Sequence, residues 1–167
     1  MEITIRDAVV DDLAAINDRY NAYIVGSHVS FDTEPWDMAT RSGWWSRSGS
    51  GGRYQVLVAE ADGAVVGVAF SGPYRHKAAY DSSVETTVVV APPFVGRGVG
   101  RRLFAALLAE LQAAGVHRAY SIVALPNDAS VALHHGLGYR TVGVQDEVGF
   151  KLGRYWSTML LEKRFDD

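Results

Sequence analysis

The segment "VGRGVGRRLFAALLAEL", residues 95–111, joins a glycine-rich turn to an amphipathic helix. Gly96, Gly98 and Gly100 alternate with valine and arginine before the apolar stripe begins. Large apolar side chains then recur at helical spacing, which predicts a buried helix face. The stripe comprises Leu103, Phe104, Leu107, Leu108 and Leu111. Glycine is a poor helix former, so three glycines here indicate either a tight turn or a ligand that approaches the backbone.

This turn is a potential anion site, because the first amides of a helix lack intrahelical partners and lie at its positive end. Arg97, Arg101 and Arg102 add positive charge. A P-loop requires Lys-Ser or Lys-Thr after its last glycine, and this turn has two arginines there. The Rossmann fingerprint requires G-x-G-x-x-G, whereas these glycines are spaced G-x-G-x-G. On these residues alone, a glycine-rich turn with solvated arginines is the alternative.

The flanking sequence predicts a mixed α/β domain that covers residues 1–167. Two β-branched runs, residues 54–61 and 64–72, are joined by Asp62-Gly63, a strong hairpin signal. Further strands are predicted over residues 83–92, 118–125, 139–146 and 155–165, and a short helix over 127–138. Near the N-terminus, Asp7 is predicted to cap one helix and Pro35 to begin another. The predicted order is β-α-α-β-β-β-α-β-α-β-β.

Composition excludes several classes of protein. The net charge of -3 argues against a nucleic-acid binder. The absence of cysteine excludes disulfides, thiolate metal sites and cysteine nucleophiles, and the five histidines show no metal-ligand pattern, so no metal is expected. No apolar run approaches the ~20 residues that span a bilayer. The acidic first residues do not resemble a signal peptide, and a cytoplasmic protein is expected.

The glycine turn resembles the pyrophosphate loop of the GNAT N-acetyltransferases, whose pattern is [QR]-x-x-G-x-[GA]. Gly98 and Gly100 match the pattern, and Val95 stands where Gln or Arg is usual. Five further segments resemble, in order, the phosphinothricin and methionine-sulfoximine acetyltransferase branch of that family. They are "VSFDTEPW" (29–36), "SGPYRHKAAYD" (71–81), "VETTVVV" (84–90), "LPNDASVALHHGLGY" (125–139) and "VGFKLGRYW" (148–156).

The resemblance implies the GNAT fold, a mixed and mostly antiparallel twisted sheet with two splayed parallel strands, flanked by helices. Acetyl-CoA, the acetyl donor, is expected between those strands. The residues that this resemblance places at the donor are Val88, Val89, Val90, Val95, Gly96, Arg97, Gly98, Val99, Gly100, Arg101, Asn127 and Ser130. Val89 is a departure, because the phosphinothricin enzymes often carry Tyr there.

Glu85 and His134 are the candidate catalytic residues. Glu85 is a charged residue within a β-branched strand, and its counterpart in the family is a proposed general base; simple alternation toward solvent is the other interpretation. Asn127, Ser130 and His134 are spaced i, i+3, i+7, which places them on one helix face. His134 stands where many GNAT enzymes have Tyr, and it could protonate the leaving thiolate or deprotonate the amine.

For the acceptor, the resemblance implicates Phe31 as an aromatic wall. Arg75, Lys77 and Tyr80 are expected nearby, since Arg suits bidentate binding of a carboxylate; an exposed loop pair is the alternative for Arg75 and Lys77. The late "VGFKLGRYW" hairpin implies a homodimer. We therefore expect an N-acetyltransferase for a small amino acid or analogue, acting by direct transfer. Acetylation of protein or peptide amines, or a non-catalytic acyl-CoA-binding module, are the alternatives.

Overall fold

A computed structural model describes residues 2–48 and 51–165. Its helices and strands follow the predicted order. They are β1 (Ile3–Asp7), α1 (Leu13–Gly26), α2 (Met38–Arg47), β2 (Val56–Ala61), β3 (Ala64–Pro73), β4 (Ser83–Val90), α3 (Val99–Ala113), β5 (Arg118–Ala124), α4 (Asp128–Gly136), β6 (Arg140–Lys151) and β7 (Arg154–Arg164). The Asp62-Gly63 hairpin is confirmed, with both residues in the left-handed region at φ 50° and 80°.

The strands form one sheet in the order β1-β2-β3-β4-β5-β7-β6. All neighbouring pairs among the described strands are antiparallel except β4 and β5, which run parallel. That parallel pairing covers only residues 83–85 against 118–120, although both strands continue beyond it. The two strands therefore separate after Glu85 and Tyr120, which confirms the predicted splay.

Helix α3 packs its apolar stripe on one face of the sheet. Leu103, Phe104, Leu107 and Leu111 are fully buried there, and each contributes roughly 1.5–3 kcal/mol of hydrophobic free energy. The opposite face is covered by α1, where Leu13 and Ile16 pack with side chains of β2 and β3. The packing of α3 on the sheet thus places the glycine turn at one end of the split between β4 and β5.

Two predicted helix boundaries are wrong. Asp7 ends strand β1 and does not cap α1, because the chain continues extended and Ala8 N–H donates to Val56 O at 2.9 Å. The Asp12 carboxylate instead accepts from Val9 N–H at 2.8 Å. Helix α2 begins after Asp37, whose carboxylate accepts from Thr40 N–H, and not at Pro35. The Asp37 carboxylate thus caps α2, whereas the Asp12 carboxylate closes the short 3-10 turn Val10–Asp12 that leads into α1 and makes no cap bond to α1 itself.

Candidate active site

A cavity of about 880 Å³ runs through the split between β4 and β5. One end reaches the glycine turn before α3, and the other reaches the segment that follows α1. Glu85 lines it from β4 and His134 from α4. The strands part there because their pairing ends at Glu85, so the opening in the sheet is a direct product of the fold.

The glycine turn forms a cradle of backbone amides at the N-terminus of α3. Gly96 and Gly98 adopt φ of 76° and 78°, a region that L side chains avoid, and an added Cβ would meet open space at both. The first described hydrogen bond of the helix runs from Arg102 N–H to Gly98 O, so the earlier amides have no intrahelical partner. Arg101 adds a cation to the lining. This arrangement fits a pyrophosphate, which needs several convergent N–H donors.

The cradle residues differ in how they face the cavity. Val95, Gly96, Gly98, Gly100 and Arg101 line it. The Val99 side chain is buried in the core, which leaves only its backbone for a ligand. The Arg97 side chain is exposed and lies outside the lining.

The three valines of β4 line the cavity, but their backbone N–H and C=O groups point alternately toward β3 and into the split. Ala91 N–H donates to Val66 O at 2.8 Å, so by antiparallel alternation Val89 also directs its backbone toward β3. Val88 and Val90 therefore direct theirs into the split. Val90 O accepts from the Tyr23 hydroxyl at 2.7 Å, which leaves Val88 as the valine that directs both its N–H and its C=O into the split.

A cluster of buried hydroxyls closes the narrow end of the split. Thr86 Oγ1 lies 2.8 Å from Ser121 Oγ and 2.7 Å from the Tyr139 hydroxyl. Ser121 Oγ also donates to Thr86 O at 3.0 Å. These bonds join β4 to β5 where the β-ladder ends, and they satisfy polar groups that would otherwise be buried without partners. Burial also raises the pKa of Tyr139 to about 12, which keeps its hydroxyl protonated.

Glu85 is half-buried in the cavity wall. Burial raises the pKa of its carboxyl above the ordinary value of 4.5. A carboxylate with a raised pKa is a better proton acceptor than a solvated one, as a general base requires. The geometry thus places Glu85 toward the cavity rather than toward open solvent.

His134 is 3% exposed, with its ring edge-on to Phe104 and Tyr139 at 5.0 Å. Its Nδ1 lies 2.7 Å from the Ser130 carbonyl oxygen, which only accepts, so Nδ1 carries the hydrogen. Burial lowers the pKa of this imidazole. The neutral ring therefore has its Nε2 lone pair available. Asn127, which caps α4 by accepting from Ser130 N–H at 3.2 Å, and Ser130 itself also line the cavity.

The end of the cavity opposite the cradle is acidic and aromatic. Phe31 and Asp32 line it together with Tyr20 and Glu85. Neither Asp32 nor Tyr20 is predicted from the sequence as a site residue. No local sequence pattern distinguishes a tyrosine that lines a cavity from one in the core. The residues at this end of the cavity can therefore be identified only from the tertiary packing.

The remaining predicted acceptor residues lie outside the cavity lining. Arg75 is exposed on the loop after β3, where its guanidinium packs over the rings of Tyr74 at 5.1 Å and Tyr80 at 5.7 Å. Lys77 is exposed and precedes a short 3-10 turn that ends at Tyr80. The structure thus groups these residues with one another and not with Phe31.

A split between parallel strands that ends at an amide cradle can hold a phosphate-bearing ligand along its length. The family model described as "Acetyltransferase (GNAT) family" matches residues 14–139, and the chain belongs to this family of N-acetyltransferases. Residues 14–139 include β4, the glycine turn and α4, so the match contains all the candidate site residues.

The chain is also similar to individual proteins. It is 44% identical over 164 residues to a phosphinothricin N-acetyltransferase of Streptomyces coelicolor, which covers 97% of this chain and 96% of the relative. It is 32% identical over 165 residues to an L-methionine sulfoximine/L-methionine sulfone acetyltransferase of Salmonella typhimurium, covering 99% and 96%.

Two solved structures share the fold. One is a phosphinothricin acetyltransferase of Sinorhizobium meliloti in complex with AcCoA, at TM-score 0.94 and 29% identity, covering 99% of this chain and 89% of that one. The other is a ribosomal-protein-alanine N-acetyltransferase of Brucella melitensis, at TM-score 0.90 and 33% identity, covering 96% and 99%.

Among residues 2–48 and 51–165, no group of three or more histidine or acidic side chains is placed to hold a metal ion. In the same residues, every helix is too short or too polar to cross a membrane.

Proposed function

We propose that this enzyme transfers an acetyl group from acetyl-CoA to the amine of a small amino acid or analogue, of the phosphinothricin or methionine-sulfoximine type. The observation that carries the proposal is that Glu85 and His134 line one cavity that extends from the amide cradle through the split sheet. The similar proteins support this acceptor class. A non-catalytic acyl-CoA-binding module would need the cradle but neither of these two side chains.

Acetyl-CoA supplies an activated thioester when it is bound. The amides at residues 96–101 and the Arg101 side chain would hold its pyrophosphate, and Val88 its pantetheine arm. A cradle with two left-handed glycines and open space above them leaves room for that group. Asn127 and Ser130 lie on the α4 side of the same cavity, within reach of the same arm.

Two protons must leave the acceptor nitrogen during acetylation of an ammonium group. In our proposal the Glu85 carboxylate accepts the first proton, which produces the nucleophilic amine. His134 Nε2 accepts the second proton as the nitrogen attacks, and it then donates that proton to the departing sulfur. The hydrogen bond from Nδ1 to Ser130 O fixes the tautomer that this role requires.

The acceptor amine is proposed to lie beside Phe31, where Glu85 and Asp32 attract its positive charge. Arg75 is the proposed ligand of an acceptor carboxylate, and Lys77 and Tyr80 lie on the same loop. Gly72 of β3 pairs with Glu85, and this loop begins shortly after Gly72. An Arg75→Ala variant is expected to raise KM for amino acids but not for amines without a carboxylate, whereas Lys77→Ala serves as the neighbouring control.

We further propose a homodimer formed through the β6–β7 hairpin. β6 is an edge strand, and the hairpin exposes large apolar side chains. They are Val142, Val144, Val148, Phe150, Leu152 and Tyr155. Exposed large apolar side chains grouped on one hairpin mark an association site on many proteins.

The test is thiol release from acetyl-CoA across a panel of acceptors. The panel contains phosphinothricin, methionine sulfoximine, methionine sulfone, ordinary amino acids and a peptide with an N-terminal alanine. Turnover with the small acceptors supports the proposal. Turnover confined to the peptide would favour protein acetylation, and binding of acetyl-CoA without turnover of any acceptor would indicate a binding module.

A further inference from the structure

The segment 28–32, which follows α1, forms a wall of the acceptor end and is held from behind by the β6–β7 hairpin. Lys151 Nζ donates to Ser30 O at 2.6 Å. The His28 ring stacks on the Trp156 indole with centroids 4.1 Å apart and an interplanar angle of 13°. The cavity wall therefore takes its position from residues more than a hundred positions later in the chain.

Phe31 packs against a hairpin position that has no side chain. A Cβ added to Gly149 would overlap Cε2 of Phe31 and would lie 2.8 Å from its Cδ2 and Cζ. Gly149 is not among the residues in the left-handed region, so its backbone conformation does not require glycine. The Phe31 ring is what requires glycine at position 149.

We propose that Gly149 is a specificity-determining residue, which fixes the width of the acceptor end by making space for the Phe31 ring. This inference rests on the proposed function, in which the acceptor lies between Phe31 and Glu85. An alanine at position 149 forces the ring to leave its place, because the ring is the movable end of a side chain that is 39% exposed. The wall then no longer matches the acceptor, while the amide cradle at the far end of the cavity is unchanged.

The decisive experiment is steady-state kinetics of Gly149→Ala with the preferred acceptor. We expect the acceptor KM to rise about tenfold, the effect of a misplaced apolar contact, while the KM for acetyl-CoA stays at the wild-type value. Gly143→Ala is the matched control, since Gly143 lies on the same strand and an added Cβ there would meet nothing within 4 Å.

A double-mutant cycle separates this effect from general damage. Phe31→Leu removes the ring, so adding Gly149→Ala to it should cost nothing further in acceptor KM. An unchanged acceptor KM in Gly149→Ala overturns the proposal. So does an equal rise in acceptor KM when Gly149→Ala is added to Phe31→Leu. If Gly149→Ala alone fails to fold, the double variant decides, because it should fold and behave as Phe31→Leu does.

A readout independent of turnover keeps this inference separate from the proposed function. In protein labelled with fluorophenylalanine, the ¹⁹F resonance that Phe31→Leu removes should shift in Gly149→Ala and not in Gly143→Ala. An absent shift overturns the inference even if no acceptor is turned over. Conversely, a shifted resonance in an enzyme inactive toward every acceptor would support the packing and contradict the proposed function.

Discussion

Burial has two opposing effects on Glu85. It assists the proposed role of Glu85 as a base, but it makes the charged form of the carboxyl energetically costly. Its pKa in the folded protein is raised above 4.5. The folded state therefore binds its proton more tightly than the unfolded state does. The resulting stabilisation is complete below pH 4.5 and is lost as the pH rises through the folded-state pKa.

Glu85→Gln should consequently stabilise the protein at neutral pH while it impairs catalysis. Glutamine keeps the shape of the side chain but has no charge to desolvate. At pH values above the Glu85 pKa, the melting temperature of the variant should therefore exceed that of the wild type. The difference should shrink as the pH falls toward 4.5. We expect kcat/KM to fall about a hundredfold or more, as for loss of a general base. A variant with wild-type activity and an unchanged melting profile would contradict both arguments.

His134 is expected to contribute to the acid limb of the pH–rate profile. Burial lowers its pKa below the ordinary 6.5, so Nε2 stays unprotonated to a lower pH than in a free imidazole. Activity should fall as the pH drops through that lowered pKa, and the proposed mechanism adds a contribution from Glu85, which must also be ionised. His134→Gln should lose the His134 contribution together with most of kcat. The check is kcat against pH at saturating acceptor for both proteins, and an acid limb of unchanged shape and midpoint in His134→Gln would assign the whole limb to another group.

The two catalytic candidates could be found from sequence because a local pattern marks each of them. Glu85 is a charge that interrupts a β-branched strand, and His134 shares a helix face with Asn127 and Ser130. No such pattern marks Asp32. It belongs to the site only because the β6–β7 hairpin, far away in sequence, positions the segment that contains it.

At the scale of elements, the start of α3 combines a strained turn with a binding surface. Gly98 immediately precedes the helix with φ of 78°, and Gly115 follows the helix with φ of 73°. Both would meet open space if a Cβ were added, so alanine at either position costs only backbone strain, about 1–2 kcal/mol. The two glycines differ in location, since Gly98 lines the cavity.

Gly98→Ala and Gly115→Ala should therefore lower the free energy of unfolding by similar amounts, whereas only Gly98→Ala should raise the KM for acetyl-CoA. The reason is that a methyl group at Gly98 occupies space that the pyrophosphate needs and disturbs the amides around it. Denaturant unfolding and donor-dependent kinetics of both variants measure the two effects separately. If Gly98→Ala and Gly115→Ala have the same KM for acetyl-CoA, Gly98 does not belong to the donor site.

The order of the elements could be predicted because periodicity and Asp62-Gly63 are local signals. The exact start of α1 could not, because Ala8 extends the strand through a hydrogen bond to Val56, which is distant in sequence. The divided roles of the β4 valines also depend on pairing register. A run of three valines contains no signal that turns Val89 toward β3 and Val88 into the split.

For the whole molecule, the β6–β7 hairpin has two faces with different surroundings. Gly149, Lys151 and Trp156 hold the segment 28–32, while Phe150 and Tyr155 point outward and are 60% and 58% exposed. Alternation along the strand explains this arrangement, since neighbouring side chains lie on opposite faces. If two copies associate through the outer face, the acceptor walls of both copies lie next to the interface.

Phe150→Glu should accordingly convert the proposed dimer into a monomer, because a carboxylate in an apolar interface must be desolvated without a partner. Sedimentation velocity should show one smaller species, and the melting temperature should lose any dependence on protein concentration. Val10→Glu is the matched control, since Val10 is 61% exposed and lies near β1, at the other edge of the sheet. A dimer that survives Phe150→Glu, or one that only Val10→Glu disrupts, would place the interface elsewhere. Because Phe150 adjoins Gly149, acceptor kinetics of the Phe150→Glu monomer then show whether the partner also supports the Phe31 wall.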